Sequence, residues 1–595
     1  MRPSSTVHRR WFVNRTNPEY VRYLAKTASI SQVLAQILIN RGLKTPAEIK
    51  SFVTPDISQL SDPFDLPGMK TAVERITAAK NNEERVLVHG DYDADGLTAT
   101  AIMIHALRML DIDCRYFIPN RMEHGYGFKV SSVKKAKEIG ASLIITVDCG
   151  ITSLDAAALC GKEDIDLIIT DHHEPLRNAK IPDAIWSHND PPASPDVPRL
   201  SVESLMLPDA VAVINPKLSH RETEVFHLSG AGIAFKLVQA LAITQGEKIP
   251  LYNFYDLAAL GTMADVVPLT GENRLLVKEG LKILENGARH GIRALKNIAG
   301  IEGRGLKTGM LLFTVIPRIN AAGRVSDSQD VVKLLLTDSE DEAFTMGSWL
   351  ETMNAERQRI EEEVLQKALR QLNDKELRSV IVLADERWHK GVLGIVASRI
   401  AEMYYRPTFI FSLEGNIARG SARSIPSFDI YEALSGCKEF LTGFGGHKQA
   451  AGLELETRHI PYFEEQLNHI AEGIMKGQDL VPTLEIDADA ELSDITFDLA
   501  REFDMLEPFG CGNAEPLIGS KGLEALYPKI VKDSHLKLKL RQKGQALDAI
   551  GFDMAALFEK LAAAPKLDAV YTPAINEWQG AKCLQLNLKA LRPSQ

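Results

Sequence analysis

Four short apolar runs, at residues 85–89, 116–118, 143–147 and 167–170, are separated by roughly 20–30 residues of helix-forming sequence. Each run is almost continuously hydrophobic, as in strands covered on both faces. Such runs alternating with helical stretches predict a parallel α/β sheet. Two more runs, 184–186 and 211–214, are expected to extend it, and the proline-rich stretch 190–208 reads as a surface loop.

The rest of the chain divides around this sheet. Residues 1–80 read as a helical lead-in, with Leu34, Ile37, Leu38 and Leu43 at roughly helical spacing. The sheet domain is expected over 81–335. Residues 336–378 are highly charged with Leu, Met and Ile at helical spacing, which predicts a long helix joining two lobes. Residues 379–475 predict a second, smaller α/β domain, and 476–595 a small β-barrel. Within the last, 536–541 alternates strictly, with leucines on one face and Lys537, Lys539 and Arg541 on the other.

Composition excludes several classes. With 45 % hydrophobic and 25 % charged residues, the chain is neither disordered nor collagen-like. No run of 18 uncharged apolar residues exists, so no membrane span is expected. The basic N-terminus lacks an apolar core, so no secretory signal is expected. Six scattered cysteines without a CxxC pair fit neither a disulfide scaffold nor a zinc ribbon, and point to the cytoplasm. The net charge of −11 excludes a generally basic coat, so nucleic-acid binding requires a local patch. Residues 521–543 offer one, with seven basic and two acidic residues against one and ten in 479–507. Of the aromatics available there for base stacking, Tyr527, Phe552, Tyr571 and Trp578, at least two are expected in the core.

Chemistry concentrates at the strand ends. The first strand runs into His89, Asp91, Asp93 and Asp95, the third into Asp148, and the fourth into Asp171, His172 and His173. Ligand sites of open parallel sheets lie beyond the carboxyl ends of the strands. One aspartate after a strand is by itself a helix cap or turn residue. Recurrence at three strand ends is not explained by capping. Like charges brought together raise one another's pKa, and divalent cations resolve that conflict. Carboxylates with imidazoles and no thiolate pair suit Mn²⁺ or Mg²⁺. Two such ions would suit an in-line displacement at phosphorus. Arg121, Arg318, and Arg423 with Ser421 are candidate phosphate contacts, since a guanidinium fork matches phosphate oxygens. The glycine-rich segment ending at His447 allows close backbone approach to a ligand; otherwise it is a tight turn between strand and helix.

His89-x-x-x-Asp93-x-Asp95, Asp148 in VDCG, the Asp171-His172-His173 triplet and Asp265 in LGTMADVVPL resemble the motifs of the DHH phosphoesterase family. Together with PRINAAGR, SARS and GGHKQAAG, they are most similar to that family's bacterial single-strand-specific exonucleases. The resemblance implies a parallel-sheet DHH catalytic domain, a DHH-associated domain and a C-terminal oligonucleotide-binding barrel. It implies that His89 and Asp93 hold one metal, that Asp95, His172 and Asp265 hold a second, and that Asp148 bridges them. His173 would contact the scissile phosphate as ligand or substrate contact, and Asp91 would orient a ligand from behind. Arg121, Ser421 and Arg423 would form a pocket for a 5′-terminal phosphate, Arg318 would contact the backbone near the scissile bond, and His447 would touch substrate. The implied activity is 5′-to-3′ hydrolysis of single-stranded DNA to mononucleotides in repair and recombination, with a single-strand-binding protein and a helicase as partners and a monomeric state. A small-substrate phosphatase of the same superfamily would share the metal site without needing the barrel or the lead-in. A non-catalytic nucleic-acid-binding scaffold is opposed by the complete ligand set.

Overall fold

The computed structural model describes the chain apart from residues 1–8, 121–126, 178–204, 220–222, 247, 288, 304, 326–327, 476–479, 563–565, 579–580 and 595, and the side chains of 177, 325, 560, 562 and 578. It divides into two compact units. The first comprises 50–354 and 506–514; the second comprises 1–49, 355–505 and 515–595.

The first unit is built on five parallel strands: β1 (Val86–Gly90), β2 (Cys114–Phe117), β3 (Leu143–Val147), β4 (Asp166–Thr170) and β5 (Ala212–Ile214), in the order β2-β1-β3-β4-β5. Every residue of β1 and β3 is buried, which explains their unbroken hydrophobicity. The run at 184–186 and residues 190–204 of the expected loop lie outside the described residues; Leu205–Met206 is a short strand paired with Leu176–Arg177. Helix α1 (Ala94–Met109) follows β1 and is buried almost all round. It packs with α2 (Gly230–Gln245) and α3 (Tyr255–Ala264), and α3 packs with α4 (Gly271–Asn286). Strand order reverses between β1 and β3, so the crevice at their carboxyl ends is the topological switch point.

The amino ends of the same strands are tied differently. Arg75, on helix Met69–Asn81, donates to Glu84 Oε2 at 2.6 Å and to Asp166 Oδ2 at 2.5 Å, and Ser142 Oγ donates to Glu84 at 2.6 Å. Burial alone would raise the Glu84 pKa, but Ser142 and Arg75 hold it down to about 2.

The predicted long helix is α6 (Glu340–Asn373), preceded in the first unit by α5 (Val315–Val325). The second unit holds a mixed sheet of β6 (Ile381–Asp385), β7 (Thr408–Glu414), β8 (Ile417–Arg423), β9 (Leu441–His447) and β10 (Ala450–Glu456), in the order β9-β10-β8-β7-β6. Strands β11 (Ile518–Val531), β12 (His535–Gln542), β13 (Gln545–Gly551), β14 (Leu567–Trp578) and β15 (Ala581–Pro593) close into a barrel through the β11–β14 pairing. The lead-in also contains strand Arg10–Val13, which pairs in parallel with Thr483–Ile486. No helix among the described residues is long and apolar enough to cross a membrane.

Candidate functional site

Asp93 shows how the strand end serves two purposes. Its Oδ1 accepts from the N–H groups of Asp95 and Gly96, capping α1. An oxygen of the same carboxylate lies within 4.8 Å of ligand atoms of Asp91 and Asp148. The capping role and the cluster role therefore coexist. Asp91, expected behind the ligands, stands in this group, whereas His89 does not.

Asp148 occupies the left-handed region at φ 61°, a conformation that costs a non-glycine residue about 1–3 kcal/mol. Thr146 Oγ1 stabilises the turn by donating to the Cys149 carbonyl at 2.7 Å. The turn brings Asp148 Oδ1 to 3.1 Å from His172 Nε2, which is 3.5 Å from Asp265 Oδ2. None of these three buried atoms has a hydrogen-bond partner, and neither do the two ring nitrogens of fully buried His89. Donor atoms that approach one another without hydrogen-bond alignment are placed as ligands of a common cation are placed. A second group joins Asp95, His172 and Asp265 within the same 4.8 Å limit, and a third joins Asp148, His172 and His173.

Electrostatics agree with that arrangement. Burial, then the neighbouring carboxylates, push Asp148 and Asp265 well above the ordinary aspartate range, and burial with Asp93 pushes Asp95 up to about 7. Burial holds His89 and His172 down to about 3, so both imidazoles are neutral and offer lone pairs. His173 is the exception. Burial opposes its charge, but a 2.7 Å contact between its Nδ1 and Asp171 Oδ1 carries it up to about 9. Asp171 is held down to about 2 against its own burial by His173 and by backbone N–H groups. The site thus combines neutral donors, crowded carboxylates and one partly exposed imidazolium. That donor set fits hard divalent cations.

The surrounding shell is where the sequence reading fell short. Asp95 accepts from Gly230 N–H at 2.6 Å and Ala231 N–H at 2.9 Å, the first amides of α2. A Cβ on Gly230 would meet Asp148 Cβ at 2.4 Å, and one on Gly261 would meet Asp95 Oδ1 at 2.6 Å. Both positions must therefore be glycine. Asn320 Oδ1 accepts from Ala94 N–H at 2.8 Å, steadying the first turn of α1. The Ser229-Gly-Ala-Gly run and the asparagine of PRIN were visible signals.

The phosphate-binding candidates are less uniform. Arg121 lies outside the described residues. Arg318 sits inside α5 rather than between turns, because Pro317 falls in the helix's first turn, where its missing N–H is harmless. Its guanidinium is engaged by Glu351 and the Thr314 carbonyl. Ser421 and Arg423 share one face of β8, with Arg423 Nη1 3.3 Å from Ser421 Oγ. Both lie against Gly394, whose Cβ would be 2.9 Å from Arg423 Nη2 and 3.1 Å from Ser421 Oγ. Gly394 is in the first turn of α7 (Leu393–Tyr404), which has no side-chain cap. The Leu393 N–H, first in the helix, donates to the Lys390 carbonyl of the turn before it. His447 is exposed and ends edge strand β9, so its glycines form a strand and not the alternative tight turn between strand and helix. On β12, the three leucines are buried while Lys537, Lys539 and Arg541 face outward. Lys539 pairs with Asp548 at 3.2 Å and Arg541 with Glu524 at 2.8 Å. Of the aromatics, only Tyr571 is buried among those described; Tyr527, in a bulge at φ 52°, is 80 % exposed, and Phe552 is also exposed. Tyr527 is turned out by the bulge and Phe552 lies just beyond the end of β13; the side chain of Trp578 lies outside the described residues.

Family profiles match the DHH family N-terminal domain over 85–262, the DHHA1 domain over 357–474 and the RecJ OB domain over 486–590. The single-stranded-DNA-specific exonuclease RecJ of Bacillus subtilis is 34 % identical over 585 residues, covering 98 % of this chain and 70 % of that protein. The Escherichia coli protein of the same name is 32 % identical over 599 residues, covering 95 % and 96 %. The solved structure of RecJ from Thermus thermophilus in complex with Mn²⁺ aligns with a TM-score of 0.82 at 30 % identity, covering 98 % of this chain and 80 % of that one. Its Mg²⁺ complex aligns at 0.76, covering 98 % and 79 %.

Proposed function

Since the chain belongs to the RecJ family of single-stranded-DNA-specific exonucleases, we propose that it hydrolyses single-stranded DNA from a free 5′ end to mononucleotides, in DNA repair and recombination. One observation carries the reading: unpartnered buried donor atoms of Asp148, His172 and Asp265 converge at the switch point of a parallel sheet. In this reading 81–335 is the DHH catalytic domain, 336–378 the connecting helix, 379–475 the DHH-associated domain and 476–595 the single-strand-binding domain.

Asp95, His172 and Asp265 would hold one Mn²⁺ or Mg²⁺ ion, and Asp93 with His89 or Asp91 the other, with Asp148 shared. Bound there, such ions lower the pKa of water and offset charge developing on a phosphate. The chain's own residues do the rest. Amides of α2 fix the Asp95 carboxylate before any ligand arrives. His173, held protonated by Asp171, donates to an oxygen of the scissile phosphate. Arg318 joins it by exchanging Glu351 for the DNA backbone. Ser421 and Arg423 hold the terminal phosphate and thereby set 5′ polarity, and Arg121 is a further phosphate contact. His447 contacts the strand, and Lys537, Lys539 and Arg541 line its path over the barrel. A single-strand-binding protein and a helicase are the proposed partners, the chain acts as a monomer, and the cytoplasm is its compartment.

A time course on a single-stranded oligonucleotide labelled at either end tests this. The expected result is immediate release of a 5′-labelled mononucleotide with Mn²⁺ or Mg²⁺, blocked by chelator and absent on blunt duplex. Turnover of dinucleotides or pyrophosphate without cleavage of the long strand would move the protein to the small-substrate branch.

A further inference from the structure

Residues 506–514 lie between second-unit segments in sequence but belong to the first unit, where they pack on the turn that follows Asp265. That turn is strained. Val266 is β-branched, 72 % exposed, and held at φ 60°. Such a conformation persists only where the surroundings over-determine it.

The surroundings here are specific. Leu269 N–H donates to the Cys511 carbonyl at 2.8 Å. In the first turn of α4, the buried Asn273 amide donates to the carbonyls of Pro268 at 3.0 Å and His227 at 2.6 Å. The His227 bond also ties down the approach to α2, whose amides hold Asp95. Arg274, beside it and fully buried, donates to the carbonyls of Leu506 at 3.0 Å and Glu507 at 2.9 Å. The segment is closed on itself as well. The Asn513 amide donates to Leu506 O at 2.9 Å and Pro508 O at 2.7 Å. The Glu507 carboxylate accepts from Thr308 Oγ1 and from Phe509 N–H, each at 3.1 Å.

We propose that 506–514 is a positioning strap for the metal centre, holding the strained Asp265–Val266 turn so that the Asp265 carboxylate stands ready to ligate. The proposal rests on the metal-centre reading given above. Strap residues act through Asp265 and are positioning residues, not catalytic ones. Releasing them lets the turn relax, and apparent metal affinity falls with the fraction of molecules still in the ligating conformation.

The test is Mn²⁺ binding to the full chain without DNA, by titration calorimetry and by the electron paramagnetic resonance signal of bound Mn²⁺. Asn513→Ala is expected to weaken binding about tenfold. Thr308→Val, a milder release that keeps volume, is expected to weaken it a few-fold and stands in if Asn513→Ala does not fold. The decisive variant adds Val266→Gly to either one. Glycine adopts positive φ without strain, so affinity should recover substantially. A general loss of structure would not be rescued in this way. Wild-type affinity in both strap variants, or a loss that Val266→Gly leaves unchanged, overturns the strap while the metal centre stands. Absence of Mn²⁺ binding by the wild-type chain overturns the metal centre and the strap together.

Discussion

At the amino ends of β1, β3 and β4, Glu84 and Asp166 pair with Arg75, and Ser142 donates to Glu84. At the carboxyl ends of the same strands, Asp91, Asp93, Asp148 and His172 converge on one another. The first group is charge-compensated, with both acids paired to Arg75 and Glu84 held down to about 2. The second is unfinished. Burial and mutual repulsion push Asp95, Asp148 and Asp265 up, and several donor atoms have no hydrogen-bond partner. Both ends are built from the same residue types on the same scaffold. What separates them is whether the protein supplies the compensating charge itself. A paired buried acid reads as stability; an unpaired group of them reads as a place for a cation from outside.

Five substitutions sharpen that contrast. Asp148→Ala should carry the largest effect, a fall in turnover of roughly a thousandfold, because one side chain serves both ligand groups. Single-strand binding in chelator should survive. Wild-type-like rates from steady-state cleavage assays would break the contrast at its functional end. Arg75→Ala should do the reverse. It strands Glu84 and lowers unfolding free energy by about 2–3 kcal/mol, read from urea titrations, with turnover per folded molecule unchanged. A pH series refines this. The folded pKa of Glu84 lies below the ordinary 4.5, so its stabilisation is complete above that value and is lost as pH falls towards 2. Arg75→Ala should flatten the stability profile in that window; an unchanged slope would mean that the pair is not what lowers the pKa.

Smaller effects belong to the exposed cations. Arg423→Ala should weaken recognition of a 5′-phosphorylated end by roughly tenfold while leaving cleavage chemistry partly intact, measured by competition between 5′-phosphate and 5′-hydroxyl strands. An unchanged response to the phosphate would remove Arg423 from the pocket. Lys537→Ala should cost only a few-fold in single-strand affinity, and should reduce the salt slope by roughly 0.7. Arg541→Ala should cost less still, because Glu524 already compensates that charge.

Much of this was legible in the sequence. Unbroken hydrophobicity located β1, β3 and β4, and the acids that follow them located the centre. The charge-paired end was not legible, because Arg75 lies in a stretch whose pattern says only helix, and its partners Glu84 and Asp166 come from two separate strand starts. Gly230, Gly261 and Gly394 escaped for a related reason. Each is required by the close approach of a distant side chain, a demand set by packing and not by local spacing. Strand β9 was not legible because glycines at 443, 445 and 446 suppress strand propensity, and its pairing with β10 overrides that. Strand Arg10–Val13 finds its partner at Thr483–Ile486, a separation that no window of sequence reports.

The central claim, that the carboxyl-end group is incomplete without a divalent cation, is tested most directly by thermal unfolding of the wild-type chain and of Asp148→Asn, each in chelator and in Mn²⁺. Wild type should be stabilised by Mn²⁺, by about 2.7 kcal/mol at a hundredfold excess over Kd. Asp148→Asn, relieved of one buried repelling charge, should be the more stable of the two in chelator and respond little to Mn²⁺. A wild type indifferent to Mn²⁺, or an Asp148→Asn chain less stable than wild type in chelator, would contradict the account.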